Sequence, residues 1–83
     1  MMHSLELEVS RQPEVLERVL RVVRHRGFRV THMQMREQGD SSLLAMTVEA
    51  ERAIELLSNQ LSKLVDVNLC TVLNEQAARA ARV

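Results

Sequence analysis

The chain has 83 residues with eleven basic and eleven acidic side chains, so its formal net charge is zero. A chain of this length holds one domain, and its neutral balance gives no support for a nucleic-acid or membrane-surface partner. Hydrophobic residues make up 46% of the sequence, which excludes a disordered chain, yet Phe28 is the only aromatic residue, so an aliphatic core is expected.

The first predicted element is a strand at residues Ser4 to Val9, because apolar and polar residues alternate there without exception. A helix is predicted to begin at Pro13, whose missing N–H is one that a first helical turn leaves unpaired. The apolar stripe of this helix recurs at helical spacing and consists of Val15, Leu16, Val19, Leu20, Val22 and Val23. Gly27 is predicted to be the left-handed residue that ends the helix.

The second predicted strand, Phe28 to Arg36, holds four large apolar residues whose parity changes within the strand. They are Phe28 and Val30 on one face and Met33 and Met35 on the other. Two interpretations are open: a β-bulge near Thr31 or His32 that turns all four residues inward, or a strand that is covered on both faces.

The rest of the chain is predicted to continue with a strand, a helix and a strand after a turn over residues Glu37 to Ser41. These elements are a strand at Ser42–Ala50, a helix at Glu51–Lys63 and a strand at Val65–Leu73. In the last strand Val65, Val67 and Leu69 are in phase, and we expect them to share one face.

The βαββαβ order with right-handed crossovers predicts an α+β, ferredoxin-like sandwich. Its four-stranded antiparallel sheet has two helices on one face, and its second and fourth strands lie at the edges. This fold hosts many functions, so the fold alone does not name one.

The residue types that are used in catalysis do not occur in catalytic or metal-binding patterns in this sequence. His3, His25 and His32 lack the spacing of metal ligands, and the two glycines are too far apart to form a phosphate-binding loop. Cys70 has no histidine near it in sequence that would activate it, so a half-buried packing role is favoured. Catalysis by this chain alone is therefore not expected.

A lone cysteine fits a reducing compartment. Neither a signal peptide nor an apolar stretch of the roughly 18 residues that a membrane span needs is visible. We therefore expect a cytoplasmic protein with no membrane partner.

Six arginines cluster around the first predicted helix, namely Arg11, Arg18, Arg21, Arg24, Arg26 and Arg29. They form either an anion or nucleic-acid patch, or a solvated helix face that is paired with Glu14 and Glu17. RNA-binding βαββαβ domains stack bases on aromatic residues of their central strands, and the central strands here have none. No nucleic-acid partner is therefore expected, whereas contact with an acidic partner surface stays open.

The segment from Pro13 to Val30, which contains Arg26-Gly27-Phe28, resembles the ACT domain of acetolactate synthase small subunits. The later segment from Gln60 to Val67 and the short length look most like the isozyme II type. The similarity covers about residues 3 to 73.

This resemblance implies an ACT domain at residues 1–74 followed by a flexible tail at residues 75–83. It also implies a non-catalytic, activating subunit that binds the acetolactate synthase large catalytic subunit in branched-chain amino acid biosynthesis. Thiamine diphosphate, Mg²⁺ and FAD are then expected on the large subunit, with no cofactor and no metal on this chain.

In the wider family a branched-chain amino acid binds at the ACT dimer interface, beside the loop between the first strand and the first helix. The corresponding residues are Arg11, Gln12, Pro13, Glu14, Arg29 and Val30. Arg11, Glu14 and Arg29 depart from the Asn, Gly and Asn of the family pattern, which removes paired donors and acceptors and an unhindered backbone. The two arginines could instead bind a carboxylate, so a changed site stays open, but we expect weak or absent valine feedback.

The resemblance further implies a homodimer in which two copies join edge to edge through their second strands. The candidate interface residues are Phe28, Val30, Met33 and Met35. The alternative is that Met33 and Met35 fill the core of the single chain. A free-standing amino-acid sensor is the competing function. A lone enzyme such as an acylphosphatase is disfavoured, because the loop Ser10–Pro13 lacks the glycines that cradle a phosphate.

Overall fold

Six elements follow one another along residues 1–73, which are the residues that the computed structural model of the protein describes. They are β1 (Met2–Ser10), α1 (Val15–His25), β2 (Arg29–Gln38), β3 (Ser41–Glu49), α2 (Glu55–Ser62) and β4 (Val67–Leu73). The predicted tail at residues 75–83 lies outside the described residues. Within residues 1–73, no helix is long and apolar enough to cross a membrane.

The strands form one sheet in the order β2-β3-β1-β4, and all neighbouring pairs are antiparallel. In the central pair the register runs without interruption from Met2 opposite Glu49 to Ser10 opposite Ser41. This arrangement confirms the predicted ferredoxin-like α+β sandwich, with β2 and β4 as its edge strands.

The core lies between one face of the sheet and both helices, and it is aliphatic apart from Phe28. The strict alternation of β1 buries Leu5, Leu7 and Val9 on this face. Five of the six residues in the predicted stripe of α1 face this core: Val15, Val19 and Val23 are buried, and Leu16 and Val22 pack partly against it. Leu20 is not among the core residues, and α2 adds the buried Leu57 and Leu61. Each such side chain stabilises the fold by about 1.5–3 kcal/mol relative to leaving it exposed.

Gly27 ends α1 in the left-handed conformation that the sequence predicts, with a φ of +83°. The N–H of Gly27 donates to the carbonyl of Arg24 (3.0 Å) and the N–H of Phe28 to that of Val23 (3.1 Å), which is the bonding pattern of a Schellman motif. The left-handed backbone therefore favours glycine at this position, whereas an added Cβ would meet only the flexible side chain of Arg52, 2.9 Å from its Nε.

A β-bulge interrupts β2 at Thr31, which agrees with the first of the two interpretations of the change of parity. Val30 lies opposite Val48, and the next paired residue is His32, opposite Thr47. The extra residue turns Met33 and Met35 to the same side as Val30, facing the helix layer.

The second predicted helix is four residues too long at its start. α2 begins at Glu55, and the carbonyls of Ala53 and Ile54 accept from the N–H groups of Leu56 and Leu57. Residues 51–53 are good or neutral helix formers, so their sequence gives no stop signal. They instead carry the chain from the end of β3 to the helix layer.

The predicted phase of the last strand is wrong, because a second bulge lies in β4. Val67 pairs with Val9 but Leu69 pairs with Glu8, so Asn68 is the extra residue and Leu69 turns away from the core with 59% of its surface exposed. Val65 precedes the strand and is 91% exposed. The core face of β4 is completed by Cys70 and Val72.

Candidate functional site

The loop between β1 and α1, residues 11–14, is a tight turn that is fastened to the start of β4. The N–H of Ser10 donates to the carbonyl of Asp66 (2.8 Å), and the N–H of Gln12 donates to the carbonyl of Ser10 (2.9 Å). The carbonyl of Gln12 then accepts from the N–H of Val15 (3.2 Å), the first residue of α1. The loop is therefore fixed in position although its four residues are exposed.

A small cleft of about 180 Å³, called the loop cleft below, opens between this loop and the sheet. Its walls include Arg11, Gln12 and Pro13 of the loop and Met35 and Ser42 of the sheet. Within a single chain, three of the predicted effector residues, Arg11, Gln12 and Pro13, therefore border a cavity.

The side chain of Arg11 leaves the loop cleft and binds the β2–β3 hairpin. Its guanidinium donates to Oε1 of Glu37 (2.5 Å) and to the carbonyl of Gly39 (3.2 Å). Gly39 has a φ of +61° and precedes Asp40 in a two-residue hairpin loop, which fits a type II′ turn. The Arg11–Glu37 pair is exposed and adds only about 0–1 kcal/mol of stability, but it gives the Arg11 charge a partner within the chain.

Glu14 occupies the N-cap position of α1 and makes no side-chain hydrogen bond to the helix. A helix N-terminus attracts negative charge, and here the Glu14 carboxylate already supplies it. A ligand carboxylate that approached this loop would therefore meet a like charge.

Arg29 and Val30 lie at the start of β2, far from the loop. Arg29 pairs with Glu49 at one end of the β2–β3 ladder, and Gln38 pairs with Ser41 at the other end. The intervening strand spans about 30 Å. In a single chain the predicted effector residues are therefore divided between opposite ends of the sheet.

The ion pair between Arg29 and Glu49 is exposed, and the hydrogen bond and charge of Arg29 hold the pKa of the Glu49 carboxyl below its usual value. Arg29, like Arg11, thus already has a carboxylate partner within the chain.

The predicted dimer-interface residues lie along β2 and differ in exposure. Phe28 is buried in the core, Val30 and Met33 pack partly against it, and Met35 is 52% exposed. A groove of about 610 Å³ runs beside them, lined by Leu20 and Arg24 of α1 and by Phe28, Arg29 and Val30. Met33 therefore agrees with the core-filling alternative, whereas Met35 is available to a partner.

The arginine cluster is divided by ion pairs with distant carboxylates. These pairs are Arg11–Glu37, Arg18–Asp66 and Arg29–Glu49. Neither Glu14 nor Glu17 takes part in an ion pair of the described residues, so the partners differ from the expected ones. These pairs engage three of the six arginines, and Arg21, Arg24 and Arg26 take part in no ion pair among the described residues.

The histidines and the cysteine do not converge on a site. No group of three metal-ligating side chains occurs within residues 1–73. Burial raises the pKa of the Cys70 thiol, and a hydrogen bond with Ser62 only partly opposes this effect. A raised pKa keeps the thiol protonated and unreactive. Nε2 of His3 is enclosed without a hydrogen-bond partner among the described residues.

Comparison with known proteins places these features in a family. The chain matches the ACT domain family model over residues 11–70. It is 48% identical over 69 residues to the acetolactate synthase isozyme 2 small subunit of Escherichia coli K12, which covers 81% of this chain and 79% of that protein. It is also 32% identical over 68 residues to a probable acetolactate synthase small subunit of Methanothermobacter thermautotrophicus, covering 78% of this chain and 40% of that protein.

A solved structure gives the same relationship. The acetolactate synthase small subunit of Thermotoga maritima superposes with a TM-score of 0.79 and 26% identity, covering 90% of this chain and 48% of that one. The ACT domain of a GTP pyrophosphokinase from Chlorobium tepidum superposes with a TM-score of 0.73 at 9% identity, which shows the shared fold alone.

Proposed function

The chain belongs to the ACT domain family, among the non-catalytic regulatory small subunits of acetolactate synthase, and we propose that it binds and activates a catalytic large subunit. The observation that carries this proposal is the 48% identity to an isozyme 2 small subunit over most of both chains. The reaction would then contribute to branched-chain amino acid synthesis. Thiamine diphosphate, Mg²⁺ and FAD would be bound by the large subunit and not by this chain. A cytoplasmic location stays a prediction.

The proposed subunit acts as a homodimer that is joined through β2. This strand lies at the edge of the sheet that residues 1–73 form, where one row of its backbone groups has no neighbouring strand, and such an edge is a template for pairing. Beside it lie the exposed Met35 and the groove lined by Leu20 and Val30. A second copy related by a two-fold axis would pair with the edge and fill the groove.

Antiparallel pairing of two β2 strands would also reunite the divided effector residues. The Arg29 end of one strand would lie beside the Gln38 end of the other, next to the loop cleft of the second copy. The effector site of this family is therefore proposed to lie between two copies of the chain.

The chemistry of the reunited site supports weak or absent valine feedback. Both arginines are engaged by carboxylates of their own chain, and Glu14 places a further negative charge at the loop. The ammonium and carboxylate of a free amino acid would have to compete with these existing pairs. We therefore propose that this chain retains activation and has lost most of its sensitivity to valine.

The test of the proposed function is to add the purified chain to a purified acetolactate synthase large subunit and to measure acetolactate formation. We expect a saturable rise in rate and co-elution of the two chains in size-exclusion chromatography. Heat-denatured small subunit serves as the control. If the rate is unchanged and the chains elute separately, the proposed function is wrong.

A further inference from the structure

The face of the sheet opposite the helices, called the open face below, has two acidic residues at its centre with apolar residues beside them. Glu6 and Glu8 lie on the central strand β1, point to this face and are half-buried. The register places Ala45 and Leu43 of β3 beside them, and it places Leu69 of β4 beside Glu8. Neither α1 nor α2 packs on this face, because both helices cover the other one.

Arg36 lines the same depression of the open face as Glu6, but the two side chains do not form an ion pair. Within residues 1–73 no ion pair includes Glu6 or Glu8. Arg36 of β2 points to the same face and pairs with Leu43 of β3. Its backbone therefore lies two strands, or about 10 Å, away from the backbone of Glu8. Glu6 and Glu8 are also two residues apart on one strand, so their like charges stand about 7 Å from each other.

This combination determines what can cover the open face. An apolar partner surface would take two unpaired carboxylates out of water, which is strongly unfavourable. Nucleic acid and anionic lipid would bring phosphate groups toward Glu6 and Glu8. A second copy of the face would bring four carboxylates together. A protein surface with lysine or arginine among apolar side chains would pair with the two glutamates and pack on the apolar residues beside them.

We propose that the open face is the surface through which this small subunit binds the catalytic large subunit, with basic and apolar side chains of that subunit seated against Glu6, Glu8 and the leucines beside them. This inference rests on the proposed function. A shallow depression of about 540 Å³ lies beside Glu6, Leu43 and Ala45, and its lining is completed by Gln34, Met35 and Arg36 of the edge strand β2.

The size of the open face fits such a role in the dimer. Four strands of this length present roughly 550 Å², whereas a stable protein interface covers about 800 Å² on each partner. Two copies that join through β2 would present a continuous face of roughly twice that area. Binding of the large subunit is therefore expected to strengthen dimerisation of the small subunit.

The test compares two charge reversals of equal size. The first variant, Glu6→Lys with Glu8→Lys, alters the open face, and the control, Glu17→Lys with Glu51→Lys, alters exposed acids of the helix layer. The concentration of small subunit that gives half-maximal activation of the large subunit should rise about tenfold or more for the first variant. For the control it should change by less than about twofold.

An isosteric variant protects the test against misfolding. Glu6→Gln with Glu8→Gln keeps the size of both side chains and is expected to fold, as checked by circular dichroism. It should still weaken activation several-fold and flatten the salt dependence of binding that the wild type shows.

The outcomes separate this inference from the proposed function. If the wild type does not activate at all, the proposed function fails and the inference fails with it. If the wild type activates but both open-face variants match it, the open face is not the binding surface. An equal loss in the helix-layer control would show an effect of net charge and would also overturn the assignment.

Discussion

The two faces of the sheet are built from alternate residues of the same strands, but the helices cover only one of them. On β1, Leu5 and Leu7 are completely buried beneath the helices, whereas Glu6 and Glu8 lie between neighbouring strands on the open face. One face therefore holds the core, and the other is the face that we propose for contact with a partner. In so small a domain the helices cover one face of the sheet, and the buried apolar side chains that stabilise the fold form a single cluster there.

The largest expected effect comes from neighbouring residues of β1 that point to opposite faces. Leu7→Ala removes a completely buried side chain and should lower the free energy of unfolding by about 2–5 kcal/mol. Glu8→Ala should change it by less than about 1 kcal/mol. Urea denaturation followed by circular dichroism measures both values. Equal losses would show that the open face contributes to folding as much as the core face does.

The second-largest expected effect concerns the β2 edge, where we propose that a second copy of the chain binds. Met35→Glu places a charge on an exposed apolar side chain of the proposed dimer interface and should weaken the dimer about tenfold or more. Gln34→Glu adds the same charge to the adjacent residue on the open face and should leave the dimer intact. Light scattering over a concentration series distinguishes them. A wild type that shows only a 9.5 kDa species would contradict the dimer.

The third effect tests the loop cleft, which lies on the helix side of the sheet. Isothermal titration calorimetry of the wild type with valine should give no saturable heat, because Arg11 and Arg29 already bind carboxylates and Glu14 repels one. The combined variant Arg11→Asn, Glu14→Gly and Arg29→Asn restores the family pattern and should acquire saturable binding.

Two results would change this interpretation. Tight valine binding by the wild type would favour an amino-acid sensor. Binding by the triple variant that survives Met35→Glu would place the effector site within one chain.

The fold could be predicted from the sequence wherever neighbouring residues alone determine the local structure. The alternation of β1, the stripe of α1 and the glycine at position 27 each specify a structure through neighbouring residues. The parity change of β2 left two interpretations open, and the bulge at Thr31 is one of them. The bulge of β4 at Asn68 was missed for a physical reason. Val65, Val67 and Leu69 look like one face by themselves, and only pairing with Glu8 and Val9 of the distant β1 reverses Leu69.

The candidate site was predicted less completely than the fold. The sequence identifies the loop at Arg11 and the strand start at Arg29, but not that one chain holds them about 30 Å apart. It also gives no sign of the Arg11–Glu37 pair, because 26 residues separate the partners and only the hairpin brings them together. The two glutamates of the open face are visible as alternation, but which side chains lie beside them depends on the strand order.

The smallest expected effect concerns Glu49, which lies at the end of the open face and forms an ion pair with Arg29. Arg29 lowers the pKa of Glu49 from its ordinary value of 4.5, by a hydrogen bond first and by its charge second. Because the folded pKa is depressed, the resulting stabilisation is present above pH 4.5 and is lost as the pH falls through the folded pKa. Arg29→Gln should return the pKa of Glu49 toward 4.5 and make stability less sensitive to acid.

Nuclear magnetic resonance titration of the Glu49 carboxyl carbon measures this change. Arg36→Gln is the matched control, since it removes the same charge from the same face of the same strand but lies opposite Leu43. An unchanged pKa in Arg29→Gln would mean that the ion pair is not populated in solution, and the Arg29 guanidinium would then be available to a ligand carboxylate. The same titration therefore decides whether the effector residue at this end of the sheet is occupied, which is the premise of the weak valine response.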